Sequence, residues 1–532
     1  GKDPDLKRHL PIDPNSNQLF TAVRDGILLA KLINDCVPDT IDERVINKGD
    51  KLSIFKIHEN QTLAINSAKS IGCNLINIGP QDLIDGTPHL VLGMVRFTSI
   101  KPPNSSLLLM TLNTSAGRQI IKIGLLSKVN LKAHPELYRL LEPGETIEDL
   151  LKLPAEQILL RWFNYHLREA GHPRRVNNFS SDIKDSECYT VLLSRIAPKH
   201  LGITTAPLNE KDPMKRAELM LANADKMGAK KFVRAKDVCD GNAKLNLAFV
   251  ANLFNMYPAL EPVEEVVIVE ETREEKTYRN FMNSLGVNPF VNHLYDDLKD
   301  GLVLLQLFDK IQPGIVDWKR VNQPPWSMGA NMKKIENCNY AIELGKQLGF
   351  SLVGIAGKDI NDGNKTLTLA VVWQMMRAYL LNILTKLSGD GSKISDAQII
   401  AWVNETLKAA GKSSQITGWK DESIKTSMPV IDLVDAIRPG SIDYSLIHKG
   451  HSEKELLDNA KYAISSARKV GAVGTISISL YLPNIIFAIF LLHFSNTPFP
   501  ILVFALPEDL VEGKDKMIMT CFASLMAAAK SA

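Results

Sequence analysis

The chain has 532 residues, enough for three or four domains at about 150 residues each. Hydrophobic residues make up 45% and charged residues 23%, a soluble composition that excludes a disordered chain, a collagen and a multi-span membrane protein. The formal charge of +3, from 62 basic and 59 acidic residues, gives no long-range pull toward nucleic acid. The six cysteines, at 36, 73, 188, 239, 338 and 521, form no C-x-x-C pair. Neither a disulfide framework nor a zinc site is expected, and a reducing cytoplasm fits best. The chain opens on Gly1 with no secretory signal, as expected of a fragment or processed chain.

The first clear element is RDGILLAKLIN (24–34). The turn Asp85-Gly86-Thr87-Pro88 precedes an apolar helix starting HLVLG (89–93). That helix breaks off into residues 94–118, where Pro102-Pro103 cannot sit in a helix interior, and resumes as QIIKIGLL (119–126). RWFNYHL (161–167) opens a second unit. KDSECYTVLLSRIAP (184–198) is a looser form of the first element, and Asp240-Gly241-Asn242 leads into AKLNLAFVANLF (243–254). An acidic, Pro-punctuated connector follows, PALEPVEEVVIVEETREE (258–275). The series then repeats with YRNFMNSL (278–285), KDGLVLLQLFD (299–309), and Asp362-Gly363-Asn364 before KTLTLAVVWQMM (365–376). A last round has AWVNETL (401–407), KTSMPVIDLVDAIRP (425–439) and Glu512-Gly513-Lys514.

Apolar residues recur at helical spacing in each element, and no sustained alternation of period two occurs, so the fold class is all-α. The Gly of each acid–Gly pair supplies a turn, and the Asp or Asn beside it can cap free amides at a helix start. Three units open with an aromatic followed two residues later by Asn: Trp162/Asn164, Phe281/Asn283 and Trp402/Asn404. The chain begins too late for the first unit to contain this helix. The odd units resemble each other more than the even ones, so the organisation is two copies of a pair. The spacing between successive acid–Gly turns is longest across residues 94–118 and 474–503. These two stretches read as insertions, either translated intron sequence or a lineage-specific loop. The second is free of charge, and Ile476–Leu492 comes close to the length of a membrane span, but Pro483 and Asn484 interrupt it.

No H-E-x-x-H, G-x-S-x-G or G-x-G-x-x-G motif occurs. GIAGKD (354–359) lacks the Ser or Thr of a phosphate loop, NDGN (361–364) lacks the closing Glu of a calcium loop, and His448 and His451 have no third ligand. No enzyme, cofactor or metal is expected.

Units of this kind resemble calponin-homology domains: an aromatic-x-Asn first helix, a central DG-x-x-L-x-x-L helix and a DGN-capped last helix. Four in tandem resemble the actin-crosslinking core of the fimbrin (plastin) family. VPDTIDERVIN (37–47), NSAKSIGCNLINIGPQDLIDG (66–86) and LPEDLVEG (506–513) are especially fimbrin-like, closest to the plant members. The resemblance implies four helical domains, at 1–134, 155–257, 274–382 and 395–528. Each pair would bind one actin filament, so that the whole bundles filaments without chemical turnover. It implies a monomer in the cytoplasm on the actin cytoskeleton, with no nucleic-acid partner and no membrane partner. The amino-terminal calcium-binding hands of fimbrins are not visible in this chain.

In this family the filament-facing surface is assigned to the first helix of the odd unit, its last helix with the following linker, and the first helix of the even unit. In the second pair these map to Glu275–Leu285, with Lys276 and Arg279; Val371–Lys386, with Gln374, Arg377 and Lys386; and Asp396–Ala409, with Gln398 and Lys408. In the first pair they map to Gln119–Leu131 and its edge, with Gln119, Lys122, Lys128 and Lys132, and to Glu156–Glu169, with Gln157, Arg161 and Arg168. Arg161, His166 and Arg168 mix with Trp162 and Leu167 in a way that suits docking on an acidic filament with apolar pockets. Trp162, Trp373 and Trp402 read as core residues. Two other readings are a one-sided filament binder, from a damaged first pair, and a membrane-attached scaffold using 474–503.

Overall fold

The computed structural model describes residues 3–10, 12, 16–49, 51–75, 78–88, 90–91, 126, 129, 134–142, 144–146, 149–150, 152–261, 271–326, 329–388, 391–470 and 503–531. The expected insertions lie outside these residues except at Val503, as do Gln119, Lys122, Lys128 and Lys132. Among the described residues every regular element is helical, as expected.

The first repeat holds α1 (Gln18–Ala22), α2 (Ile27–Cys36), α3 (Ile54–Ser70) and α4 (Pro80–Ile84). The second holds α5 (Ala155–Glu169), α6 (Glu187–Ile196), α7 (Pro213–Lys226), α8 (Ala235–Cys239) and α9 (Ala243–Met256). The third has α10 (Arg273–Ser284), α11 (Leu294–Asp297), α12 (Leu302–Ile311), α13 (Ala330–Gln347), α14 (Gly357–Asn361) and α15 (Lys365–Ser388). The fourth has α16 (Asp396–Ala409), α17 (Met428–Ile437), α18 (Glu453–Val470), α19 (Pro507–Val511) and α20 (Asp515–Ser531). The described residues fall into two compact bodies. One lies within Gly1–Ile12, Gln18–Val91 and Thr272–Ala532, the other within Asp13–Asn17 and Leu92–Glu271.

The repeated motifs have repeated jobs. The Asn of each aromatic-x-Asn pair clamps a loop with both ends of its amide. Asn164 accepts from Val176 N and donates to Val176 O, both at 2.8 Å. Asn283 does the same to Val291, and Asn404 to Ile416. A loop held this way loses two orphan backbone groups at once. The acid–Gly turn closes each five-residue helix, α4, α8, α14 and α19. In the first, Thr87 N donates to Asp82 O while Gly86 adopts φ 70°. That is the left-handed helix ending glycine favours, and a Cβ on Gly86 would come within 2.4 Å of Phe20 O. The Asn after the turn then starts the last helix: Asn242 Oδ1 accepts from Leu245 N, and Asn364 Oδ1 from Leu367 N.

The second body has an aromatic core. Trp162 and Phe254 meet edge to face at 5.4 Å between ring centroids, and Tyr189 lies 5.3 Å from Phe249. All four rings are fully buried. Tyr189 OH finds its partner in Asn246 Oδ1 at 3.0 Å. In the other body the first repeat packs on both the third and the fourth through α3.

Candidate functional site

The second pair assembles all three segments that the family resemblance assigns to the filament. Helix α10 starts with a reciprocal cap, in which Thr272 Oγ1 accepts from Glu275 N and Glu275 Oε2 accepts from Thr272 N. Its apolar side, Tyr278 and Phe281, is fully buried. Phe281 meets Tyr379 of α15 with ring centroids 5.7 Å apart. The helix start is held on the fourth repeat, where Arg273 pairs with Glu512 and Lys516 approaches Glu274 at 3.5 Å. Lys276 faces solvent and Arg279 is half-buried.

Helices α15 and α16 are joined by Arg377, which donates to Asp396 Oδ1 at 2.5 Å. Trp419 Nε1 donates to the other carboxylate oxygen at 3.1 Å. Arg377 and Asp396 are 38% and 39% exposed, so their ion pair contributes less than about 1 kcal/mol. Gln374 is turned to internal use: its amide accepts from Ser351 N at 2.7 Å and donates to Ser351 O at 2.8 Å. Gln398 is exposed, but its Oε1 closes the α16 cap by accepting from Ser395 N and Oγ. Lys386 and Lys408 are exposed.

In the second repeat, Gln157 and Arg168 of α5 face solvent. Arg168 lies 5.5 Å over the Tyr165 ring. Arg161 is held by Glu145 through two hydrogen bonds, at 2.5 and 2.8 Å. Those bonds hold the Glu145 carboxyl below its ordinary value. His166 does not join the expected docking face and is only 1% exposed. It lies one helical turn after Trp162 and so shares the inward stripe, whereas Arg161 and Arg168, two turns apart, share the outward one. His166 Nε2 donates to Pro258 O at 3.0 Å, beside the Trp162 Nε1 bond to the same oxygen at 2.7 Å. A carbonyl can only accept, which places the ring proton on Nε2. Nδ1 is buried without a partner among the described residues. Burial pushes this imidazole down to about 4. Of the three tryptophans expected in the core, Trp162 is fully buried, while Trp373 and Trp402 are half-buried.

Sequence reasoning missed the contact between the first and fourth repeats. Arg468 at the end of α18 is buried, and its guanidinium donates to Thr40 O at 2.9 Å, Val503 O at 3.2 Å and Ala505 O at 3.5 Å. Burial pushes it down to about 10. Lys469 donates to Val45 O at 2.9 Å and lies 3.1 Å from Glu59, which Arg438 also reaches at 2.7 Å. Burial raises the Glu59 carboxyl, but Lys469, Asn47 and Arg438 together bring it below its ordinary value. Burial also keeps Lys469 low despite Glu59. The third repeat touches the first where Asn280 Nδ2 of α10 donates to Ser70 O at 3.2 Å. Among the described residues no group of three His, Cys, Asp or Glu is placed to hold a metal ion.

A model of the calponin homology (CH) domain matches residues 6–97, 153–259, 272–380 and 393–477. The chain is therefore a tandem calponin-homology protein. It is 57% identical over 525 residues to a fimbrin of Dictyostelium discoideum, covering 98% of this chain and 77% of that one. To plastin-3 of Homo sapiens it is 51% identical over 539 residues, again covering 98% of this chain and 77% of the relative. The crystal structure of the actin-crosslinking core of Schizosaccharomyces pombe fimbrin is similar with a TM-score of 0.76 and 40% identity, covering 99% of this chain and 96% of that one. The chain belongs to the fimbrin and plastin family.

Proposed function

We propose that this chain binds actin filaments and crosslinks them, one filament to each pair of calponin-homology domains, with domain limits at 1–134, 155–257, 274–382 and 395–528. The observation that carries the reading is the assembly of α10, α15 and α16 in one body, linked by Phe281–Tyr379 and Arg377–Asp396. That arrangement supports a single continuous surface edged by the exposed Lys276, Lys386, Gln398 and Lys408. On the first pair, the exposed Gln157 and Arg168 of α5 take the same role, together with Gln119, Lys122, Lys128 and Lys132 in the sequence before it. Exposed cations beside apolar rings suit an acidic filament surface. The protein works by binding alone, as a monomer in the cytoplasm.

Sedimentation at two speeds tests this. Crosslinked filaments pellet with the protein at low speed, and simple decoration pellets only at high speed. Binding weakens at high salt, because exposed charges are screened. Pelleting at neither speed overturns the filament reading, and pelleting at high speed alone restricts it to one-sided binding.

A further inference from the structure

Helix α3 and its counterparts α13 and α18 carry a cation at one fixed place. Asn60, Asn337 and Asn459 share a register, because each side-chain carbonyl accepts a backbone N–H from the connection before its helix, that of Asn47, Asn322 or His448, at 2.9 Å. Nine residues after each stands Lys69, Lys346 or Arg468. The three cations meet different surroundings. Lys346 is exposed. Arg468 is buried and donates to the carbonyls of Thr40, Val503 and Ala505. Lys69 is 7% exposed and has no hydrogen-bond or ion-pair partner among the described residues.

The burial of Lys69 comes from the neighbouring repeats. Helix α13 packs on α12 and α14 of its own repeat, whereas α3 also packs on α10 and α18. Lys69 lies in that seam, one turn after Asn66, whose amide donates to the Arg468 carbonyl, and next to Ser70, whose carbonyl accepts from Asn280 of α10. The charged groups around it are turned to other partners or to solvent. Lys469 of α18 goes to Val45 O and to Glu59 of α3. On α10, Arg273, Glu274 and Glu275 go to Glu512, Lys516 and Tyr295, Lys276 is exposed, and Arg279 is engaged elsewhere. On α2, Lys31 pairs with Asp3, Asp5 and Glu43 while Asp35 is exposed, and on α4 Asp82 accepts from Gly79 N. A buried ammonium without a counter-charge weakens whatever contact buries it. Burial alone pushes Lys69 down to about 8 from its ordinary 10.5.

We infer that Lys69 is a charge latch in the contact of the first repeat with the third and fourth: protonated it favours release of the first repeat, and neutral it favours closure. Lys346 shows that the helix leaves this side chain in water when no other repeat covers it, so opening the seam returns Lys69 to water. Arg468 shows that a cation at this place can be satisfied inside the same body, and Lys69 is not. Between about 8 and 10.5 an opened Lys69 holds a proton that the closed one gives up. Closure therefore strengthens as pH rises through that window, and the full penalty stands below it. The latch does not depend on filament binding.

Hydrogen exchange of the full chain at pH 7, read by mass spectrometry on peptides of α3 and α18, measures how often the seam opens. Lys69→Met should slow that exchange by about a hundredfold, because the charge is gone while an apolar stem stays packed. Lys346→Met, the same change at the exposed sister position, should leave it within about twofold of the parent. Urea unfolding supplies the pH dependence. From pH 7 to pH 9 the unfolding constant of the parent should fall about tenfold more than that of Lys69→Met. Exchange in Lys69→Met as fast as in the parent, or faster, overturns the proposal, since the ammonium then costs the seam nothing. An equal pH dependence in the two chains does so too, because the titrating group then lies elsewhere. Equal slowing in Lys346→Met would make the gain a general effect of methionine in these helices and equally overturn it.

Discussion

Arg468 in the fourth repeat donates to the carbonyl of Thr40 in the first, 428 positions away in sequence, at 2.9 Å. Around this bond, Asp42 N donates to Ser465 Oγ, Asn66 Nδ2 to the Arg468 carbonyl, and Arg44 to the carbonyls of Leu446 and Asp458. The contact between the repeats is thus made largely by cationic and amide side chains gripping backbone carbonyls. Such bonds have directional geometry, which apolar packing alone lacks.

Replacing Arg468 with Met should destabilise the body that holds the first, third and fourth repeats by about 3 kcal/mol, because three buried carbonyls lose their donor together. Arg468→Lys should recover only part of this, since an ammonium cannot span three acceptors as a planar guanidinium does. Urea unfolding of the two variants checks both the size and the order. An unchanged midpoint for the Met variant would show that water replaces the guanidinium at no cost.

His166 gives the second repeat a pH dependence of defined sign. Its folded-state value of about 4 lies below the ordinary 6.5. Between those limits the unfolded chain binds a proton that the folded chain refuses, so stability rises with pH across that window. The contribution is complete above about 6.5 and lost as pH falls through about 4, a total of roughly 3 kcal/mol. His166→Phe should abolish this part of the acid sensitivity while Trp162 keeps the Pro258 bond. Thermal unfolding at pH 4.5 and pH 7.5, compared between variant and parent, is the measurement. Equal acid sensitivity in the two would refute it.

The ten-residue helices expose a difference between odd and even repeats. Gly26 and Gly301 precede α2 and α12 at φ 77° and 75°, whereas Ser186 and Ser427 precede α6 and α17 at φ 60° and 65°. Both serines are fully buried, and their hydroxyls have no partner among the described residues. Left-handed strain of about 1 kcal/mol and an unpaired buried hydroxyl outweigh the extra chain entropy that glycine loses. Ser186→Gly and Ser427→Gly should each stabilise by about 1 kcal/mol. The reverse change, Gly301→Ala, should destabilise more strongly, since its Cβ would meet Cys338 N at 2.8 Å and Asn337 C at 2.9 Å. Chemical unfolding of the three variants decides it, and a destabilised Ser186→Gly would point to a partner for that hydroxyl.

What was legible in sequence was local and periodic. The aromatic-x-Asn pairs and acid–Gly turns were readable as repeats because each does its work within one domain. Asn164 reaches Val176 and Asn283 reaches Val291, only 12 and 8 positions away. The direction in which a polar side chain turns was much less legible. Arg161, Gln374 and Arg377 have the same chemistry as Arg168, Gln398 and Lys408, and only the fold shows that the first three are held by Glu145, Ser351 and Asp396. Charge alone groups His166 with the cations, although the four-residue step from Trp162 already places it on the buried stripe. Arg468 was out of reach, since no periodicity within α18 can show that one of its carbonyl partners, Thr40, comes from the other end of the chain.

That division between outward and inward residues makes the filament surface testable side chain by side chain. Arg168 and Lys408 are exposed near the ends of α5 and α16, the first helices of the two even repeats. Arg168→Glu and Lys408→Glu should each weaken filament co-sedimentation several-fold to tenfold, with an unchanged unfolding midpoint, because a rim charge acts through attraction to the partner. Gln374→Ala should do the opposite. It removes two solvent-exposed hydrogen bonds to the Ser351 backbone, costing about 1 kcal/mol of stability or less because water can replace the amide, while filament affinity stays within about twofold of the parent. Arg161→Ala should behave like Gln374→Ala, with a similarly small loss of stability, since its pair with Glu145 is partly exposed and screened. Co-sedimentation at one salt concentration, set beside thermal unfolding of the same four variants, separates the classes. If Gln374→Ala loses filament binding at a temperature where it remains folded, the Gln374 amide must release Ser351 to meet the filament, and the inward assignment fails.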